Sequence, residues 1–449
     1  MREIYDAQLK LEFYQSNSKI SKKLEKAAEI LEKDKSFLEI ISKDFSTPKN
    51  SKAGAKGLTI EQVTRIAILK QTMNLSYEDL YDQLNDNISY RRFSKIDEEK
   101  VPKKTALNEN IKRLSAKSLE ALNKVIIKVA MELKVENGEK IRIDSTGVES
   151  NIHPPTDSEL LGDCIRVIDR LIDEVLESCP GIGLEYHDHT RRAKKRRYKI
   201  INTNSKAKRK ECYEDLLKVS EKVEGYTVNC IELLSGEEYL PEIELVVYKE
   251  KLEGYLESLR IIMNQTRLRV LEGEKVEAKD KLVSIFETHA DILTKGKRNT
   301  IFGHKVLLSG GASNLILDCV IERGNWSDAE IFANGLDRVK RVTGVVPEEL
   351  TTDGGFASKA NYDYGIGEGV ERVLFTKKSS AKIVELVRTS QAYKKMQKFR
   401  AGIEGCISAA KRAFGLSRCT WKGWESFQSY VWLSVISFNI SVLTDALLK

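Results

Sequence analysis

The feature that most constrains this chain is a change of rhythm at Gly138. Over residues 58–133 apolar side chains recur at helical spacing, as with Val63, Ile66, Ala67 and Leu69. From Gly138 the pattern becomes alternating, with Ile141 and Ile143 on one face and charged residues between them, which is the period of a strand. Residues from about 157 to 280 then return to helix. The next strand signals are two apolar runs around Gly310, Gly311 and Asn314, which read as a β-hairpin whose strands are expected to pair with the first. A helix over 328–343 follows, then a short strand ending at Asp353, a helix near 358–364, a strand at 370–375, and helices near 380–413 and 423–448. This order predicts an α/β fold: a sheet of mixed direction interrupted by a large helical insertion.

At 449 residues the chain has room for several domains. Residues 1–56 read as a helical arm (Ile20, Leu24, Ala27, Ile30 and Leu31 at helical spacing) with a Ser-, Lys-, Gly- and Pro-rich linker after residue 45. Residues 57–135 form an all-helical block with segments at 59–73, 76–84 and 105–131, compatible with a helix-turn-helix type of unit or a plain structural bundle. The sheet is expected from 136–156 together with 281–449, and the helical insertion from 157–280. Within that insertion Tyr248, Leu252, Tyr255, Leu259 and Ile262 make a stripe that reads as helical-hairpin packing. Seven cysteines without a Cys-x-x-Cys pair argue against a disulfide framework and a structural zinc site. The N-terminus lacks an apolar signal region, and no stretch approaches about 18 uninterrupted apolar residues, so the expected setting is the cytoplasm, with no membrane partner.

The net charge of +7 is modest but unevenly placed. The densest basic run spans 189–199 with Arg191, Arg192, Lys194, Lys195, Arg196 and Arg197, followed by Lys206, Lys208, Arg209 and Lys210. It carries enough charge to neutralise several phosphates, and it also fits a solvated helix face.

Three acids stand out against this background. In-line displacement at a phosphodiester benefits from two divalent ions about 4 Å apart, held by hard oxygen ligands brought together from separate elements. Asp144 sits where the first alternation ends, and Asp353 ends a second strand before Gly354 and Gly355. Either one alone also fits a surface turn, because Asp-Gly is a common turn dipeptide. The third is Glu404, which lies four residues after Arg400 and seven before Lys411, so all three project from nearly one helix face. There a carboxylate can reach a metal while the cations hold phosphates; the plainer alternative is an exposed Arg-Glu helical pair.

With these residues in view, residues 57–440 resemble a bacterial insertion-sequence transposase of the DDE type, close to the elements grouped as ISNCY and with an InsH-type N-terminal domain. The resemblance implies an RNase H-like catalytic fold with Asp144, Asp353 and Glu404 as catalytic and metal-binding residues. The Arg-x3-Glu-x6-Lys pattern is intact as Arg400, Glu404 and Lys411, while the tyrosine usual three residues before the arginine is Gln397 here. Residues 58–95 resemble the InsH-type domain, which implies binding to terminal inverted repeats, and the segment 294–306 resembles the lead into the second strand, where Lys295, Lys297 and Arg298 are expected to meet DNA phosphate. The implied cofactor is Mg2+, or Mn2+ in its place, with two ions per site. The implied partners are double-stranded DNA, at the element ends and at the target, and a second copy of the chain to hold paired ends; no nucleotide cofactor is expected. Two rivals share these features: an RNase H-like nuclease without strand transfer, and a domesticated DNA-binding protein that no longer cuts.

Overall fold

The computed structural model describes residues 18–45, 57–97, 101–236, 241–295, 299–376 and 391–449. Contacts divide the chain into two compact units, Met1–Asn151 with His304–Lys449, and Ile152–Gly303.

Among the described residues of the first unit, seven helices precede the sheet: α1 Lys19–Lys33, α2 Ser36–Ser42, α3 Ile60–Thr72, α4 Tyr77–Asp86, α5 Ile88–Ser94, α6 Lys104–Ile111 and α7 Ala116–Glu132. Local chemistry sets their starts. Thr59 and Gln62 form a reciprocal capping box on α3, and Ser76 and Asp79 do the same on α4. The segment 105–131, which reads as one helix in sequence, is two, because the Ser115 side chain caps a new helix by accepting from the Ser118 backbone N–H. Arg65 on α3 is fully buried and is matched by Glu61 on its own helix and Glu32 on α1.

The sheet is built from β1 Lys140–Glu149, β3 Asn299–Gly310, β4 Ile316–Ile321, β5 Glu349–Asp353 and β6 Arg372–Thr376, joined by β2 Asp291–Lys295, which pairs antiparallel with the first residues of β3. The strand order is β2-β3-β1-β5-β6, with β4 also on β3. The pairs β1–β5 and β5–β6 are parallel and β3–β4 is an antiparallel hairpin, so the sheet is mixed, with Asn314 at positive φ in the hairpin connection. Around it lie α12 Asp328–Thr343, α13 Lys359–Gly367, α14 Gln391–Ala413 and α15 Trp424–Leu447.

Asp144, expected to end its strand, does not: β1 continues to Glu149 beside β3, and its last residue pairs with the segment after α14, Glu149 N donating to Ser417 O (3.0 Å) and Glu149 O accepting from Cys419 N (2.8 Å). Among the described residues one helix, α15, is long and apolar enough by composition to cross a membrane, though polar residues interrupt it, and 72% of that stretch is buried inside the protein. Its apolar surface is covered by α7, α3, α1 and β4. Asn439 shows what fixes it there. Wholly buried, it donates to Asn123 Oδ1 (2.8 Å) and Ile316 O (2.7 Å) and accepts from Ile316 N (2.8 Å), tying α15 to α7 and β4.

The second unit packs α8 Asp157–Ser178, α9 Thr190–Asn202, α10 Lys206–Ser235 and α11 Glu242–Thr266 around Ile165, Ile168, Leu216, Val223, Leu252 and Leu259. The stripe on α11 is core: Leu252, Leu259 and Ile262 are buried and Tyr248 and Tyr255 pack beside them.

Removing the Asn439 amide leaves the Ile316 N–H without its buried acceptor, so Asn439→Ala is expected to cost about 3 kcal/mol. A urea denaturation series on the full chain, with an unchanged m-value, checks this.

Candidate active site

The site starts from strand register. Parallel β1 and β5 pair Lys140 with Glu349 through Ile143 with Thr352. The next step along both strands sets Asp144 beside Asp353, and neighbouring strands lie about 4.8 Å apart. Asp144 Oδ1 accepts from the Ser145 N–H (2.8 Å), and Asp353 Oδ1 accepts from the Gly355 N–H (2.8 Å). Gly355 is needed for close approach: a Cβ there would lie 2.7 Å from Asp328 Oδ2 and 3.1 Å from Asp353 Oδ1.

Glu404 comes from α14, and the dock of that helix on the sheet is explicit. Arg142, on β1 and 3% exposed, donates to Phe399 O (2.9 Å) and Asn314 Oδ1 (2.6 Å) and lies over the Phe399 ring at 4.8 Å. Gly402 makes room for it, since a Cβ at that position would sit 1.9 Å from Arg142 Nη1. Lys411, lower on the helix, donates to Gly147 O at 2.7 Å. Between these anchors Arg400 reaches across, donating from Nη2 to Asp144 Oδ2 (2.9 Å) and from Nη1 to Glu404 Oε1.

One guanidinium therefore spans the first and third acids, and Asp144 senses all three groups. Burial pushes its carboxyl up to about 6; Arg400 opposes the shift, while the Asp353 and Glu404 carboxylates add to it. The carboxylate of Glu404 stays outward, its side chain 62% exposed. Among the described residues no three His, Cys, Asp or Glu side chains stand close enough to ligate one ion, and the single charge of Arg400 is shared between Asp144 and Glu404. The donor set is nonetheless all carboxylate oxygen, the hard-ligand chemistry that suits magnesium or manganese.

Sequence reasoning missed a fourth acid. Asp328, at the start of α12, accepts from Ser145 Oγ (2.7 Å) and from Lys305 Nζ (2.7 Å), so it braces the residue next to Asp144. Lys305 in turn donates to Trp326 O and sits over the Trp326 ring at 4.7 Å. An acid in the first turn of a helix is what the helix dipole favours anyway, so no local signal distinguishes Asp328. His304 is buried between Trp424 and Phe427, and Trp421 is buried as well.

The remaining basic candidates are distributed as follows. Arg191, Arg192, Lys194, Lys195, Arg196 and Arg197 all lie on α9 of the second unit. Lys295 ends β2, whereas Lys297 and Arg298 lie outside the described residues.

Two family models match the chain, a transposase domain (DUF772) over residues 12–113 and a transposase DDE domain over residues 287–440. The chain is a DDE transposase. The second match contains Asp353 and Glu404, and Asp144 lies before it. No curated protein and no solved structure matches this transposase. A DDE domain brings with it an RNase H-like fold, DNA as substrate and a metal-dependent polynucleotidyl transferase or nuclease activity, and the mixed sheet of this transposase with its helical N-terminal region agrees with that fold.

In an exposed helix interior Gly→Ala gains up to about 1 kcal/mol. Gly402→Ala is expected to do the opposite here, lowering stability by about 2 kcal/mol as Arg142 or α14 is displaced. The sign of the change in thermal denaturation midpoint tests the dock.

Proposed function

We propose that Asp144, Asp353 and Glu404 are the metal-holding carboxylates of this transposase, and that it cuts DNA at the ends of its element and joins the freed 3′-hydroxyl to target DNA. The observation that carries the reading is the β1–β5 register, which sets two aspartates side by side, together with an α14 dock that links Glu404 to Asp144 through Arg400. Bound to these three carboxylates, a pair of Mg2+ or Mn2+ ions supplies activation of the attacking oxygen and stabilisation of the leaving oxygen.

The chain's own groups do the rest. Arg400 carries a planar fork suited to a phosphate and Lys411 a point charge on the same face of α14, so both orient the scissile strand. Asp328 and Lys305 hold Ser145, and with it the Asp144 backbone, in place. The helices over 57–135 bind the terminal inverted repeats, and basic residues of the second unit and of 295–298 add phosphate contacts. Two copies of the chain hold two ends, as the symmetry of the task requires.

Losing an outer-shell partner of a metal ligand typically costs 10–100-fold, so removing a ligand should cost roughly 100-fold or more. Asp144→Asn, Asp353→Asn and Glu404→Gln are therefore expected to abolish Mg2+-dependent cleavage of a duplex bearing the element end while binding it as the native chain does. A variant that still cuts refutes the assignment, and joined product on a second duplex separates strand transfer from hydrolysis alone.

The raised pKa of Asp144 gives a second test. The carboxyl is protonated below about 6 and must lose that proton to accept a cation. The half-saturating Mg2+ concentration for cleavage is expected to be flat above that pH and to rise about tenfold per unit below it. A flat profile down to pH 5 contradicts the role of Asp144.

A further inference from the structure

The basic run on α9 is two different surfaces. Taken at about 100° per residue, its side chains fall into two arcs. The inward arc holds Ala193 and Ile200, both buried, with Arg192, Arg196 and Arg197 beside them. Each of these arginines has an acidic partner: Arg192 and Arg196 both bind Asp215 on α10, and Arg197 stands 3.8 Å from Asp163 and fills the space over Gly162 on α8. The outward arc holds Arg191, Lys194, Lys195, Tyr198 and Lys199, all exposed, with Tyr198 at 68%. Among the described residues none of those four cations has an acidic side chain within ion-pair distance.

At the start of α9, Asp188 and Asp169 accept from the Thr190 and His189 N–H groups, whereas the first turn of α10 carries Lys206 and Lys208 and no acid. A cation at a helix N-terminus costs several tenths of a kcal/mol, so the α10 end favours an external anion. From Arg191 to Lys199 the strip is roughly 12 Å long, a length over which a duplex presents about three phosphates per strand. A neighbouring cleft of about 590 Å³ continues from Tyr198 and Lys199 toward α10, where Lys208 and Lys218 stand among Glu211, Glu214 and Asp215, so the strip's charge on that flank is mixed.

We infer that the outward arc of α9, namely Arg191, Lys194, Lys195 and Lys199 with Tyr198 among them, is a docking strip for the phosphate backbone of duplex DNA, and that Arg192, Arg196 and Arg197 hold the helix in place and do not touch DNA. This rests on the reading of the chain as an enzyme that acts on DNA.

The test is the salt dependence of binding. Full-length protein is titrated onto a fluorescent duplex of unrelated sequence at a series of NaCl concentrations, and the slope of log affinity against log salt is read by anisotropy. Each phosphate contact contributes about 0.9 to that slope, so Lys194→Gln/Lys195→Gln/Lys199→Gln is expected to flatten it by about 2.7. Arg192→Gln leaves the slope unchanged, because Arg196 still holds Asp215. Tyr198→Ala weakens binding roughly fivefold at every salt concentration, since a neutral group displaces no counterions. A triple-lysine variant with the native slope, or an Arg192 variant that flattens it equally, overturns the inference while leaving DNA binding intact. A native chain that binds no duplex overturns the DNA reading itself.

Discussion

Two parallel strands in fixed register are the constraint from which the rest of this transposase follows. In the hydrogen-bonded ladder between β1 and β5 each residue of one strand has a set neighbour on the other, and Ile143 opposite Thr352 leaves Asp144 no place except beside Asp353. A one-residue slip would turn every β1 side chain to the opposite face of the sheet, bringing Ile141 and Ile143 out of the core. The same burial that stabilises the sheet therefore fixes the spacing of the two acids. Neither glycine-rich turn flexibility nor loop placement is asked to do so.

Gathering acids at one point carries an electrostatic cost, and the structure meets it with cations placed among them. Arg400 sits between Asp144 and Glu404, and Lys305 between Asp328 and the Trp326 ring. Even so, burial and its two acidic neighbours leave the Asp144 carboxyl well above the ordinary carboxylate range. In the proposed metal centre, that excess negative charge would favour a small, hard, multivalent cation over the monovalent side chain. Arg142 completes the arrangement from beneath. Its guanidinium is buried, its hydrogen bonds end on α14 and on the hairpin connection, and Gly402 exists as a glycine because that guanidinium occupies the space a side chain would need.

Much of this was legible in the sequence, for physical reasons. The alternation through Ile141 and Ile143 announced β1 because one face of that strand is fully buried, and Arg400, Glu404 and Lys411 announced a shared helix face because helical geometry is local. What was not legible depends on partners distant in the chain. The extension of β1 to Glu149 runs beside β3 and ends on residues 417–419, partners distant in the chain, so no local rhythm could mark its end. Asp328 looks like an ordinary acid in the first turn of a helix, and its bracing role appears only when Lys305 and Ser145 arrive beside it. The basic run was visible as charge, but its division into an inward and an outward arc is decided by Asp163 and Asp215. Helix α15 carries no long unbroken apolar run because Ser434 and Asn439 interrupt it, and both find their hydrogen bonds inside the protein.

The central claim is that Asp144, Asp353 and Glu404 share one metal centre. Diffraction from crystals of the transposase bound to an end duplex and soaked in Mn2+, collected for anomalous scattering, addresses it most directly. The account predicts manganese peaks with carboxylate oxygens of all three residues at roughly 2.1 Å, with Arg400 withdrawn from between Asp144 and Glu404. Peaks bound elsewhere, or a centre that leaves out any one of the three carboxylates, would contradict it.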